Sequence, residues 1–249
     1  SDVERSEQNP LLFVSDGCLH LIHSAQLVRD PADRDALESS SSFSMQWTAV
    51  LRHQCLPLEG LESADQGTWS AEAWSTPSDL LDAPAFCRNP PYPLANDRWL
   101  LPIYRSLEEG GAFGHDHSEM VRLDASGRCL DQPVGIPEST GRVHGSVVAS
   151  RDGAELLQFF RSRLADQIYR SVSRDNGLTW SAPEPMSVTN TWHPSYTGGA
   201  QSRGVREQVH EEILYVPVRS VLLQARAPRP VPASPIQPEV PSEARGWTR

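Results

Sequence analysis

The octapeptide Ser173-Arg174-Asp175-Asn176-Gly177-Leu178-Thr179-Trp180 (173–180) matches the pattern S-x-D-x-G-x-T-W, and each fixed position has a mechanical task in a tight turn. Aspartate and serine side chains bond nearby backbone N–H groups. Glycine takes a backbone conformation closed to other residues, and tryptophan supplies a large apolar body to bury between layers. The stretch therefore predicts a structural turn joining two strands. Ser63-Ala64-Asp65-Gln66-Gly67-Thr68-Trp69 carries the same pattern one residue short, as a degenerate copy.

Upstream of this turn the chain reads as strand after strand. The runs LLFV (11–14), LHLIH (19–23), WLLPIY (99–104), SVVAS (146–150) and ELLQFF (155–160) are separated by Asp-Gly or Asn-Asp turns, the strongest short-range hairpin signal. Helical periodicity is nowhere sustained. The hairpins repeat. Aligning Asn9-Pro10-Leu11-Leu12, Asn89-Pro90-Pro91-Tyr92 and Gly145-Ser146-Val147-Val148 as strand starts brings Asp16, Asn96 and Asp152 to one turn position. The returning strand then ends on Arg105 and Arg161 in the second and third copies, and on Ala25 in the first.

Composition narrows the classes. The chain has 249 residues, 38% hydrophobic and 22% charged, with a net charge of -10. No run approaches the ~20 apolar residues of a membrane span. The acidic balance argues against nucleic acid as a partner, because backbone phosphates require a basic face. Every side chain with a fixed positive charge is arginine, which reads as GC-rich coding, so position must carry any functional argument. Cys18, Cys55, Cys87 and Cys129 form no C-x-x-C pair, and no histidines cluster at zinc spacing, so free, partly buried thiols are expected, with disulfides open. The start at Ser1 reads as a processed form or a fragment and gives no compartment.

The ordered segments QNPLLFVSDGCLHLI, CRNPPYPLANDRWLLPIY, HGSVVASRDGAELLQFFRSR and IYRSVSRDNGLTWSAPEP together resemble the BNR-repeat, or Asp-box, sialidase-like family over about residues 8–190. The resemblance implies a six-bladed β-propeller of which these segments are the second to fourth blades. The expected architecture is all-β: a partial propeller of about three blades over residues 1–190, then a divergent tail over 191–249. Beyond Asn190 the strand rhythm stops, and the apolar run 213–224 leads into the proline-rich 229–241. Residues from about 226 onward are expected to be disordered. A change of reading frame or exon is the simplest account of the switch.

In a β-hairpin the start of the first strand and the end of the second share one rim. Gln8, Asn9, Arg88, Asn89, His144, Arg105, Arg161 and Arg163 are therefore expected on one face around the mouth of the central channel. Several guanidinium forks there would suit a carboxylate, which sialic acid carries. The resemblance implies that Arg161, standing at a strand end shortly before the Asp box, is one of the arginines that bind the substrate carboxylate. A blade-to-blade salt bridge is its other reading. Arg88, Arg105, Asn89 and His144 are further candidate substrate contacts, with structural roles open for each. Arg163 should alternate to the other side of its strand and be solvated.

Sialidases also use a tyrosine nucleophile activated by a glutamate, with an aspartate acid. This chain has Gly145 at the glutamate's expected place. The first blade would lie before Ser1, and the tyrosine and third arginine after Asn190, so no catalytic residue is assigned. The family-level function is a sialidase-like glycoside hydrolase of the exo-α-sialidase type, acting on sialic acid or a related acidic sugar, with an incomplete active site. A non-catalytic glycan- or protein-binding propeller is the alternative, and a non-functional partial chain a third. No cofactor and no metal are expected to be required.

Overall fold

The computed structural model describes residues 5–27, 46–59, 71–107 and 115–189, and every strand in them belongs to one of three antiparallel sheets. The first runs β1 (Arg5–Ser15), β2 (Cys18–Leu27), β3 (Val50–Pro57) and β4 (Ser78–Leu81) in chain order. In the second, β5 (Phe86–Cys87) and β6 (Tyr92–Pro93) both pair with β7 (Trp99–Arg105), followed by β8 (His117–Leu123) and β9 (Val134–Gly135). The third runs β10 (Arg142–Ala149), β11 (Leu156–Ser162), β12 (Gln167–Ser173) and β13 (Glu184–Thr189). Two single-turn 3-10 segments, Gln46–Thr48 and Ala71–Ala73, accompany them.

Turn chemistry sets the hairpins. Asp16 (φ 46°) and Gly17 (φ 69°) both have positive φ, as do Asn96 (φ 63°) and Asp97 (φ 55°). That geometry matches the twist of the flanking strands. The third hairpin turns through Ser150–Glu155, where Asp152 Oδ1 accepts from Ser150 Oγ at 2.7 Å and Ala154 N at 3.1 Å. Bulges then break the register near the other end of β1 and β10. Gln8 lies opposite Ser24 and Val143 opposite Arg161, whereas past the bulges Leu11 faces Ile22 and Ser146 faces Phe159. Asn9 (φ 53°) and His144 (φ 56°) occupy these bulges. The residue equivalent to Asn9 is therefore His144, one place before the Gly145 expected from sequence. In the second sheet prolines 90 and 91 split the strand into β5 and β6, since proline cannot donate to a ladder.

The sheets stack face to face in chain order. Leu11, Phe13, Ile22 and Leu51 of the first pack on Leu101, Ile103, Val121 and Leu123 of the second. Leu100 and Met120 of the second pack on Val147, Leu156, Phe160 and Trp180 of the third. Ala49, Phe86, Tyr104 and Val143 form a smaller cluster that draws on all three. This arrangement, side-by-side meanders meeting at one apex, is the partial propeller expected from sequence.

The turn between β12 and β13 is the octapeptide. Asp175 Oδ1 accepts from Thr179 N at 2.9 Å, Ser173 Oγ accepts from Gly177 N at 2.8 Å, and Gly177 has φ 83°. Trp180 is buried between the second and third sheets. A counterpart absent from the sequence reading joins β8 to β9. Asp124 Oδ1 accepts from Ser126 N and Arg128 N, each at 2.9 Å, and Gly127 has φ 77°.

The degenerate copy at 63–69, the apolar run 213–224 and the tail with its expected disorder lie outside the described residues. The four cysteines are free thiols, so the open disulfide alternative is not realised. Among the described residues no helix is long and apolar enough to cross a membrane, and no group of His, Cys, Asp and Glu side chains could hold a metal ion.

Candidate functional site

The three sheets converge at Gln46, just ahead of β3. Its Oε1 accepts from the Tyr104 hydroxyl at the end of β7 and from Arg163 Nη2 just past β11, both at 3.3 Å. Arg163 also donates from Nε (2.8 Å) and Nη2 (2.5 Å) to Asp116 Oδ2. Its side chain is 9% exposed and that of Asp116 0%. The expectation that Arg163 is solvated is therefore overturned. Residues 161 and 163 are two apart and so share a face of the strand, and the Arg163 N–H donates to Gly141 O (2.9 Å), continuing the β10–β11 register past Ser162, so alternation places Arg163 on the side of Arg161 and not on the opposite one. The guanidinium carbon sits 5.5 Å from the Tyr104 ring centroid.

His144 joins this apex through its bulge. Its ring meets the Tyr104 ring edge-on, with centroids 5.3 Å apart. Asn89 Nδ2 donates to His144 O (2.8 Å) and Gly145 O (2.9 Å), clamping the bulge to the second sheet. Burial first, then the guanidiniums of Arg88, Arg163 and Arg161, push the His144 imidazole down to about 3. Arg161 itself is lowered by burial and by Arg163 and Arg88. Burial raises the Tyr104 phenol, which Arg163 opposes. Arg88, Arg161, Arg163, His144 and Tyr104 thus lie near enough to act on one another's charge. Of these, Arg163 is already balanced by a buried carboxylate.

Arg105 is placed elsewhere. Its Nε donates to Glu119 Oε2 at 2.8 Å, and its Nη1 donates to Asp82 O (3.1 Å) and Pro84 O (3.2 Å). It braces the loop ahead of β5 and has no part in the apex cluster. Asn9, in the bulge of β1, donates to Cys87 O at 3.1 Å, clasping the first sheet to the second. The sequence reading missed Gln46, Tyr104 and Asp116. Tyr104 stands beside Arg105 at the strand end, which was a usable signal, whereas nothing local marks Gln46 or Asp116.

A side chain at the place expected for a glutamate would displace the Gln158 amide. A Cβ on Gly145 would stand 2.1 Å from the Gln158 amide nitrogen. Gln158 is 0% exposed and fills that space. Chemically the apex offers several guanidinium groups, a neutral imidazole and a buried phenol. That combination suits holding an anion.

The description of a BNR repeat-like domain matches residues 1–195. No curated protein matches. Among solved structures, the chain is similar to the Hadza microbial sialidase Hz136 at 13% identity and a TM-score of 0.49, covering 74% of this chain and 34% of that one. It is similar to Trypanosoma rangeli sialidase bound to 2,3-difluorosialic acid at 15% identity and a TM-score of 0.48, covering 71% and 27%. For the intramolecular trans-sialidase of Ruminococcus gnavus in complex with oseltamivir carboxylate the figures are 14%, 0.47, 75% and 56%. The chain spans about a third or less of the length of the first two. With a family description matching residues 1–195 of 249, the chain belongs to the BNR repeat-like family.

Proposed function

We propose that the apex of the three sheets binds the carboxylate of sialic acid or a related acidic sugar, as part of a sialidase-like glycoside hydrolase of the exo-α-sialidase type. In this reading the chain is part of a six-bladed propeller. The observation that carries it is the gathering of Arg88, Arg161 and Arg163 about the half-buried His144 ring, which the Tyr104 edge and the Asn89 clamp hold at the apex. Planar guanidinium forks gathered at one rim match a carboxylate. Asn89 contributes by fixing the bulge that carries His144.

A second reading, a non-catalytic glycan- or protein-binding propeller, is favoured by one specific feature. Gly145 stands where the glutamate is expected, and the Gln158 amide takes up the space that a side chain there would enter. Turnover of a fluorogenic sialoside separates the two, since a binder gives saturation without product. Arg161→Ala tests the shared site. It should weaken binding of N-acetylneuraminic acid on the order of tenfold to a hundredfold, the worth of one charge-assisted hydrogen bond. Stability should change by no more than about 0.5 kcal/mol, because the side chain stands at the strand end and is only half-buried. Unchanged affinity in titration calorimetry would remove the assignment.

A further inference from the structure

We propose that Gln46 is a ligand-binding residue of the apex, donating from its side-chain Nε2 to an acceptor oxygen of the acidic sugar, a carboxylate oxygen or an acyl carbonyl. The inference rests on the acidic-sugar reading above and deepens it by naming a residue that reads an acceptor on the ligand.

Arg163 fixes which way the amide is turned. Gln46 Oε1 lies 3.3 Å from Arg163 Nη2 and 3.3 Å from the Tyr104 hydroxyl. A guanidinium has donors only, so the atom that faces it is the amide oxygen, and a flipped amide would set N–H against N–H. Arg163 is not free to swing aside, because the buried Asp116 carboxylate holds its Nε at 2.8 Å and its Nη2 at 2.5 Å. Asp116 also balances the charge of Arg163, so Gln46 acts as a neutral donor whose hydrogen bond has a direction of its own. Side chains from the second and third sheets thus orient an amide that the first supplies, in one chain of bonds from Asp116 through Arg163 to Gln46.

The result is a directed donor. With Oε1 accepting twice, Nε2 stands about 2.2 Å from it in the same planar group, turned away from Arg163 and Tyr104. It carries two hydrogens and takes no partner among the described residues, and Gln46 is half-buried where the three sheets converge. A donor held in place before the ligand arrives loses little freedom on binding. Carboxylate and carbonyl oxygens only accept, so they complete this amide, whereas an ammonium group would oppose it.

Titration calorimetry of the full chain with N-acetylneuraminic acid, at about 0.15 M and about 1 M salt, tests the contact. Gln46→Glu keeps an acceptor for Tyr104 and Arg163 and puts a carboxylate oxygen where Nε2 stands. Affinity should fall on the order of tenfold to a hundredfold, the worth of one hydrogen bond to a charged group. The loss should persist in the higher salt, where exposed charges act over only about 3 Å. Gln46→Met, similar in length but without donors, should lose about tenfold and serves if the glutamate variant does not fold, which thermal unfolding checks. Two further ligands identify the acceptor. The penalty of Gln46→Met shrinks with the methyl ester of the sugar acid if Nε2 meets the carboxylate, and with the analogue carrying hydroxyl in place of acetamido if it meets the acyl carbonyl. A penalty equal for all three ligands overturns the contact. Wild-type affinity in Gln46→Met, or a Gln46→Glu loss that vanishes in the higher salt, also overturns it and leaves the acidic-sugar reading intact. No binding by the wild-type protein removes both.

Discussion

The two seams between sheets are built by the same devices with different partners. In each, a turn anchored by an aspartate presses a positive-φ glycine onto the preceding sheet, and an asparagine near a strand start reaches across to backbone carbonyls. At the second seam Gly177 abuts the Leu100 side chain, inside a cluster of Met120, Val147, Phe160 and Trp180. At the first seam Gly127 abuts the rings of His53 and His20. Those rings stack 5.1 Å apart and share a hydrogen bond, His20 Nδ1 to His53 Nε2, at 2.9 Å. His20 Nε2 lies 3.2 Å from Ser15 O, a carbonyl that only accepts, so His20 carries its proton on Nε2 and His53 donates to His20 Nδ1. Where the glycine meets the neighbouring sheet, one seam presents an apolar side chain and the other a neutral imidazole pair. The same fold rule thus tolerates a titratable joint at one blade junction.

The largest expected effect breaks the apolar seam. Gly177→Val puts a Cβ within 2.7 Å of both Leu100 methyl carbons and forces a β-branched residue to φ 83°. Overpacking costs about 1–3 kcal/mol and the left-handed backbone about 1–2 kcal/mol, so a loss of about 2–5 kcal/mol is expected in urea unfolding. A loss below about 1 kcal/mol would mean that this turn does not bear on the second sheet as described.

Acid should loosen the first seam through its histidine pair. Burial, helped by the His20 and Arg128 charges, holds His53 at about 4 against an ordinary value of 6.5. Burial also lowers His20. Because the folded value lies below the unfolded one, the unfolded chain binds more protons in this range. His53 therefore adds its full contribution above pH 6.5, loses it as pH falls from 6.5 towards 4, and adds nothing below about 4. The shift corresponds to roughly 3 kcal/mol. A second proton on the pair would also set two N–H groups against each other. His53→Leu should remove much of this acid sensitivity, while His144, on the rim, keeps its own. A wild-type unfolding midpoint that stays level between pH 6.5 and 4 would refute the titratable joint.

The seams also show where sequence is readable. The hairpins were legible because Asp16-Gly17 and Asn96-Asp97 take positive φ at both residues and Asp152-Gly153 takes it at the glycine, while their flanks alternate with period two. The octapeptide was legible for the same local reason. The Asp124 turn was not, since Asp124-Ala125-Ser126-Gly127-Arg128 reaches the same hydrogen bonds with its glycine one place later and no tryptophan. The site was harder. Tyr104-Arg105-Ser106 and Phe160-Arg161-Ser162 are nearly the same tripeptide at the ends of β7 and β11. Their arginines part company because Glu119 and two carbonyls occupy Arg105, partners supplied by other strands and loops. Arg163 was misread because period two, rightly applied, puts it on the same face as Arg161 two residues before it, and the β10–β11 register carries on that far.

The smallest effect sharpens the comparison at the asparagines. Asn89 Nδ2 serves two carbonyls, at 2.8 Å and 2.9 Å, whereas Asn9 Nδ2 serves the carbonyl of Cys87 at 3.1 Å. Removing either leaves shielded acceptors unpaired, at about 1–3 kcal/mol for each group fully deprived of water. Both residues are only half-buried, which lets solvent recover part of that, so about 1–2 kcal/mol is expected for Asn89→Ala and less for Asn9→Ala. The two also differ in kind. Asn89 holds the bulge carrying His144, so Asn89→Ala should loosen anion binding as well as stability. Asn9→Ala, at a clasp made to Cys87, should change stability alone. Thermal unfolding of both variants with and without N-acetylneuraminic acid reads the distinction. Equal loss of ligand stabilisation in the two would mean that the bulge at His144 plays no special part in the site.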